Sequence, residues 1–276
     1  MQKINQLTAY DGIKLFSTDD LVHDADANIV IVHGLGEHSG RYAYLTERMN
    51  ESQYNVFRFD LRGHGKSEGE SAFLNDYHDY IKDLQTTIDH SKSVSPDKKT
   101  YLLGHSMGGF ISALYGMITQ DGVDGIILSG AATQTPKQAQ GMMGTLVKIM
   151  GTVVPKAAMS NDLGKVVSRD PAVVQAYLND PLNKKKITFA LYNEFLIKGI
   201  GYVKSHLADF RYPTLILHGE NDLIVDPHAS QILYDSICSY DKTLKLFPGL
   251  YHEIFNEPER DNVIEIVLNW LENAEH

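Results

Sequence analysis

The chain has 276 residues, 43% hydrophobic and 22% charged, a balance that excludes extended disorder and coiled coil and suits one α/β domain with a sizeable core. A formal net charge of −10 and a pI of about 5.6 argue against a nucleic-acid partner, because phosphate binding needs a positive face. Cys238 is the only cysteine, which rules out an intrachain disulfide and gives no sign of an oxidising compartment.

Residues 1–16 carry no apolar run resembling a signal peptide, and no stretch is long and apolar enough to span a bilayer. The expectation is a cytoplasmic enzyme. Two short extended pieces open the chain, residues 4–9 and 13–18, separated by Asp11-Gly12, a hairpin signal. Six compact apolar runs follow, at residues 28–32, 55–59, 100–103, 123–128, 212–217 and 243–247. Each ends in polar or glycine-rich punctuation: His33-Gly34, Asp60, Gly104, Ser129-Gly130, His218-Gly219 and Pro248-Gly249. Runs buried on both faces suit a parallel sheet covered by helices. Helical stretches at residues 41–51, 77–91, 107–119, 227–236 and 258–273 alternate with them. The reading is a mostly parallel, twisted, doubly wound α/β sheet, whose ligands bind beyond the carboxyl ends of the strands.

Residues 131–205 break this rhythm. They contain no clear strand and are helical in character, with Met142, Met143, Met150 and Met159. They read as a helical cap inserted before the last two strands, leaving 1–130 and 206–276 as the core. The competing reading is two more helices packed on the core. Cys238 falls in the helical pattern after Pro227 and reads as a small buried hydrophobe.

Gly104-His105-Ser106-Met107-Gly108 matches G-x-S-x-G between an apolar strand and a helix, the context of a nucleophile elbow. Gly104 and Gly108 supply the small flanks such a turn needs, and Gly109 is expected to let the helix approach the sheet. Ser106 is the candidate nucleophile. Its hydroxyl attacks only when a base takes its proton, and the chain order in this architecture is Ser, acid, His. Asp222, after the fifth run, is the candidate acid, ahead of Glu220 and Asp226. His252, after the sixth, is the candidate base. His218 reads as a structural donor and His228 as solvated. The oxyanion donors are assigned to the amides of Met107 and of Leu35 in the loop His33-Gly34-Leu35-Gly36-Glu37-His38. His33, Glu37 and His38 lack distinctive metal-ligand spacing, and there is no phosphate-binding or dinucleotide fingerprint, so neither metal nor cofactor is expected.

Three stretches together resemble monoacylglycerol lipases and lysophospholipases of the serine hydrolase class: His33 to Tyr42, Asp60-Leu61-Arg62-Gly63-His64-Gly65-Lys66-Ser67, and Gly104 to Gly109. Ser168-Arg169-Asp170-Pro171 and Asp180-Pro181-Leu182 in the cap are similar too. The resemblance implies an α/β-hydrolase fold, a Ser106–Asp222–His252 triad, and Leu35 and Met107 as oxyanion donors. It also implies cofactor-free release of fatty acid and glycerol from a lipid ester. The cap of that family lines an acyl tunnel and touches membranes transiently. Residues 141–150 suit both roles, against the plainer alternative that they bury on the core. A lysophospholipase and a broad carboxylesterase remain open. So does an aminopeptidase, which needs an acidic cap residue such as Asp162, Asp170 or Glu194. A non-catalytic binding protein on the same scaffold is the distant alternative. Oligomeric state is not readable from the sequence.

Overall fold

The computed structural model describes residues 2–136 and 140–274. Residues 137–139 of the cap, Met1 and the last two residues lie outside the described set. Eight strands form one sheet in the order β1-β2-β4-β3-β5-β6-β9-β10. They are β1 Gln2–Thr8, β2 Lys14–Asp20, β3 Ala27–Val32, β4 Tyr54–Phe59, β5 Lys99–His105, β6 Gly125–Ser129, β9 Thr214–Gly219 and β10 Lys242–Phe247. β1 and β2 pair antiparallel, as do β2 and β4; the other pairings are parallel.

Side-chain alternation on β3 shows how the sheet is covered. Val30 and Val32 join one apolar cluster, and Ile29 and Ile31 join the other, so the strand is buried on both faces. The first cluster takes in α2 (His78–Val94), α3 (Met107–Ile118) and α8 (His228–Ser236). The second takes in α1 (Ala43–Glu51) and α9 (Arg260–Glu272). Chain direction across the sheet reverses at β3, which sits between β4 and β5. A crevice opens at such a switch point, beyond the carboxyl ends of β3 and β5. The loop after Val32 and the turn at Ser106 meet there.

Residues 131–205, the stretch expected to form a cap, hold α4 (Gly141–Val153), α5 (Pro171–Asn179), α6 (Phe189–Tyr192), a π-helical stretch Asn193–Gly199 and α7 (Ile200–Ser205). They also contain two strands, contrary to the sequence reading. β7 (Ala158–Ser160) and β8 (Lys186–Thr188) pair antiparallel as a short ribbon. Three residues per strand are too few to show a periodic pattern. The base of the cap is continuous with the core, since Ile187, Leu191, Phe195, Ile200 and Val203 belong to the same apolar cluster as Phe110 and Leu114. One further expectation fails: Cys238 is exposed, beyond the end of α8. His218 is the penultimate residue of β9.

Candidate active site

Ser106 sits between β5 and α3 with φ 55° and ψ −116°, a left-handed backbone that costs about 1–3 kcal/mol for a residue with a Cβ. The flanking chain holds it there: the Ser106 amide donates to the Ser129 carbonyl at 2.9 Å, and its carbonyl accepts from Phe110 and Ala132. Gly108 explains the tightness of the turn. A Cβ there would lie 2.0 Å from the Val32 carbonyl oxygen, so only glycine lets α3 start this close to β3. Gly109 is held close to the sheet as well: a Cβ there would lie 2.7 Å from Ala131 Cβ, just past β6, and 3.2 Å from the Gly104 carbonyl oxygen of β5.

Asp222 lies in the turn after β9 and His252 in the loop after β10. His252 Nδ1 donates to Asp222 Oδ2 at 2.6 Å, and both residues are buried. Asp222 has three further donors. His218 Nε2 reaches the same Oδ2 at 2.9 Å, and the amides of Ile224 and Val225 reach Oδ1 at 2.7 and 3.0 Å. Burial would raise the Asp222 carboxyl, but the charge of His252 and the hydrogen bonds from His218 and His252 hold it well below the usual carboxylate range. Burial would lower His252, but the charge and hydrogen bond of Asp222 outweigh it and raise the imidazole above its ordinary value. His105, whose ring centroid is 4.6 Å from that of His252, is pushed down to about 3 by burial and by His252, and stays neutral.

Ser106 and His252 line one narrow cavity of about 20 Å³, the room of about one water molecule. Its wall combines apolar Leu35, Leu163, Val167 and Ile224 with polar Glu37, Tyr177 and Glu253. The loop after β3 comes close: a Cβ on Gly34 would lie 3.2 Å from Ser106 Cβ. Leu35 follows in that loop, and Met107 opens α3, where the first amides of a helix have no intrahelical acceptor.

A buried ion network beneath this cavity escaped the sequence reading. Arg41 donates to Glu37 Oε2 at 2.6 Å and grips Glu253 with two bonds of 2.5 and 2.7 Å. Glu37 Oε1 accepts from the Gly34 amide at 2.6 Å and from the Tyr42 hydroxyl at 2.7 Å. The Arg41 guanidinium stacks 4.6 Å from the Tyr177 ring of α5. One cation thus joins the loop after β3, the residue following His252, and the cap. Despite burial, the charge of Arg41 above all, with the Tyr42 hydrogen bond, holds Glu37 down at about 2. Only the Glu37–Arg41 spacing of four was visible in the sequence.

The remaining candidates are committed elsewhere. His33 Nε2 accepts from the Leu61 amide and His38 pairs with Asp180 at 2.9 Å. Among the described residues, no group of three or more His, Cys, Asp or Glu is placed to hold a metal ion. Asp162 pairs with Lys165, Asp170 caps α5, and Glu194 pairs with Lys198. None of these three cap acids lines the Ser106 cavity.

A strained serine at a strand-to-helix turn, sharing a crevice with a histidine hydrogen-bonded to a buried aspartate, defines a serine hydrolase of the α/β-hydrolase fold. The family described as Hydrolase_4, serine aminopeptidase S33, matches residues 23–259. The chain is 33% identical over 245 residues to a monoacylglycerol lipase of Mycolicibacterium smegmatis, covering 88% of this chain and 87% of that one. It is 30% identical over 241 residues to phospholipase YtpA of Bacillus subtilis, covering 87% and 92%. The crystal structure of Paleococcus ferrophilus monoacylglycerol lipase superposes with a TM-score of 0.86 at 30% identity, covering 95% and 99%. The chain therefore belongs to this α/β-hydrolase family, with monoacylglycerol lipases among its relatives, and is a serine ester hydrolase.

Proposed function

We propose that the protein is a monoacylglycerol lipase, releasing fatty acid and glycerol through an acyl-enzyme. The observation that carries the mechanism is the shared cavity of Ser106 and His252, with His252 bound to Asp222 at 2.6 Å. His252 takes the Ser106 proton through Nε2 as the hydroxyl oxygen attacks the ester carbonyl carbon. The Leu35 and Met107 amides stabilise the oxyanion. The intermediate expels the alcohol, which receives its proton from His252, and water then repeats the sequence on the acyl-enzyme. Asp222 holds the imidazole in the Nδ1–H tautomer throughout.

The relatives support the glyceride, and so does the mixed cavity wall: hydroxyl-bearing glycerol suits Glu37, Tyr177 and Glu253, and an acyl chain suits the apolar residues. Residues 131–205 act as the cap over the core formed by 1–130 and 206–276. The small cavity at Ser106 suits a reading in which the cap moves to admit an acyl chain. The apolar helix α4 makes transient contact with membranes, and the expected setting is the cytoplasm, peripheral to membrane surfaces. A lysophospholipase or broad carboxylesterase is the second reading, favoured by the phospholipase relative. An aminopeptidase is disfavoured, because the two carboxylates at the cavity are already bound by Arg41.

Ser106→Ala should fold normally and lose turnover by at least about 10⁴-fold. A fluorophosphonate probe should label the unsubstituted protein and not the variant. Labelling or turnover that survives the substitution would refute the nucleophile. A series of monoacylglycerols and nitrophenyl esters of rising chain length tests the substrate: strong preference for acetyl esters, with no activity on long-chain glycerides, would remove the lipase reading.

A further inference from the structure

His252 lies in a stretch with no helix or strand of its own, between the end of β10 at Phe247 and a single 3-10 turn at Ile254–Asn256. Asp222 holds one ring nitrogen, but a bond to the ring does not fix the backbone that carries it. The amides on either side of the histidine are held from elsewhere. The Glu253 amide donates to the Val167 carbonyl at 2.8 Å. The Tyr251 amide donates to Glu257 Oε1 at 3.1 Å, and the same oxygen accepts from the Arg169 amide at 3.0 Å. Glu257 Oε2 accepts from Arg169 Nε at 2.9 Å. Residues 167–169 belong to the stretch between β6 and β9, so a distant part of the chain grips the base loop both before and after His252. Val167 and Ser168 are buried, and the Glu257 side chain is fully buried against an Arg169 side chain that is 35% exposed. A carboxylate removed from water persists only when donors meet its oxygens, and here those donors come from Arg169 and Tyr251. Val167 also lines the Ser106 cavity, so the segment that holds the loop is part of the wall of the site.

We propose that Glu257 and Arg169 are positioning residues for ester hydrolysis, which with the Val167 carbonyl fix the backbone on both sides of His252 and align the base only while residues 167–169 are seated. This role presupposes His252 as the base, as proposed above, and adds the requirement that one part of the inserted stretch stay docked during turnover. Neither residue touches the reacting atoms; both act through the Tyr251 amide and the loop it belongs to. Proton transfer needs the imidazole nitrogen within about 2.6–3.2 Å of the serine oxygen, and a misplacement of about 1 Å costs on the order of a hundredfold in rate. The charges that act most on the imidazole are those of Asp222, Glu253 and Glu37. A rate lost with Arg169 or Glu257 is therefore a loss of alignment rather than of field. Whatever part of residues 131–205 moves to admit substrate, the segment at 167–169 stays with the base.

The test is steady-state kinetics of the full chain on a short water-soluble ester, with sites counted by fluorophosphonate labelling carried to completion. Arg169→Met keeps the apolar stem and removes the guanidinium; Glu257→Gln keeps the shape and sets an N–H where an acceptor stood. Each should lower kcat roughly tenfold to hundredfold and leave KM within about twofold of the parent. The double variant should lose no more than the worse single one, because both substitutions break the same linkage. The far-downfield proton resonance expected of the 2.6 Å bond from His252 Nδ1 to Asp222 should broaden or vanish in both variants. Glu259→Gln removes the exposed partner of the same arginine without touching the base loop, and should keep the parent kcat. Parent-level kcat and an unchanged resonance in folded Arg169→Met would overturn the proposal, as would a rise in KM alone or losses that multiply in the double variant. Should Glu257→Gln not fold, Arg169→Met decides, since its side chain is partly exposed. Failure of the underlying mechanism looks different: His252→Gln would then keep parent turnover, whereas failure of the positioning role leaves His252→Gln inactive and Arg169→Met fully active.

Discussion

In the proposed mechanism His252 acts as a base only when neutral, so its titration sets the acid limb of the rate. Burial disfavours the imidazolium, but the buried Asp222 carboxylate favours it more, and the balance lies above the ordinary histidine value of about 6.5. Activity on a water-soluble ester should therefore rise with pH through a midpoint above about 6.5 and level off on the alkaline side. A kcat/KM profile with its midpoint well below that value would contradict the assignment of the base. His218 gives a second test. It is buried, donates through Nε2 to the oxygen that holds His252 and to the Val225 carbonyl, and accepts at Nδ1 from the Ser230 hydroxyl at 2.7 Å. His218→Leu removes one donor from a buried carboxylate, a bond worth about 1.5–3 kcal/mol. The freed Asp222 oxygen becomes more basic toward His252. The expected result is a roughly tenfold to hundredfold loss of kcat, with the acid limb displaced to higher pH. Unchanged kinetics in a folded variant would make His218 a packing residue only. That Asp222 meets His252 and that His252 shares a cavity with Ser106 was legible because each residue follows a strand with clear punctuation, and chain order does the rest. The Arg41 network was not, because Glu253 is recruited from 212 residues away and nothing in its local sequence marks it.

At the level of elements, the two cap motifs prove to be the two ends of α5. At its start, Asp170 accepts from the Ala172 amide at 2.8 Å and Pro171 takes the first helical position, both standard helix openers. Arg169 beside it is fixed to Glu257 by its amide at 3.0 Å and its Nε at 2.9 Å. Glu257 also accepts from the Tyr251 amide, next to His252. At the other end, Asp180 accepts from the Leu182 amide and meets His38 of the loop after β3, while the Lys184 amide donates to the Gly36 carbonyl at 2.7 Å. Thus α5 bridges the loop that carries His252 and the loop after β3. Asp170→Ala removes the cap bond at a cost of about 1 kcal/mol, which in a chain of this size lowers Tm by a few degrees. Calorimetry should show that fall; no change would mean the helix start is held by Arg169 alone. Asp170-Pro171 entered the sequence reading only through the resemblance, although an Asp-Pro pair is also a helix opening. The β7–β8 ribbon and the π-helical stretch Asn193–Gly199 were not legible, since each is short and set by the packing around it rather than by periodicity.

Across the whole molecule, burial divides the structure differently from the boundary at residues 131–205. The lower cap elements α6, α7 and β8 contribute Leu191, Ile200, Val203 and Ile187 to the cluster under α3, so they should melt with the core. Helix α4 stands apart: its buried side is small, it contacts α6 and the π-helical stretch, and its apolar face lies in solvent. Local opening is easiest where few apolar contacts resist it. Heating should therefore give one cooperative transition for core and lower cap together. Limited trypsin digestion under native conditions should cut first near α4, at the exposed Lys148 and Lys156. Lys185 and Lys186 are exposed too, but they lead into a strand hydrogen-bonded to β7, and Thr188 anchors that strand by donating to the Ala72 carbonyl of the core at 2.6 Å. Mass spectrometry of the first fragments decides the matter. Early cuts at 148 or 156, with residues 158–274 protected, identify α4 as the part that moves to admit an acyl chain. Early cuts at 185 or 186 would show instead that the whole cap lifts as a unit, against the continuity of its base with the core.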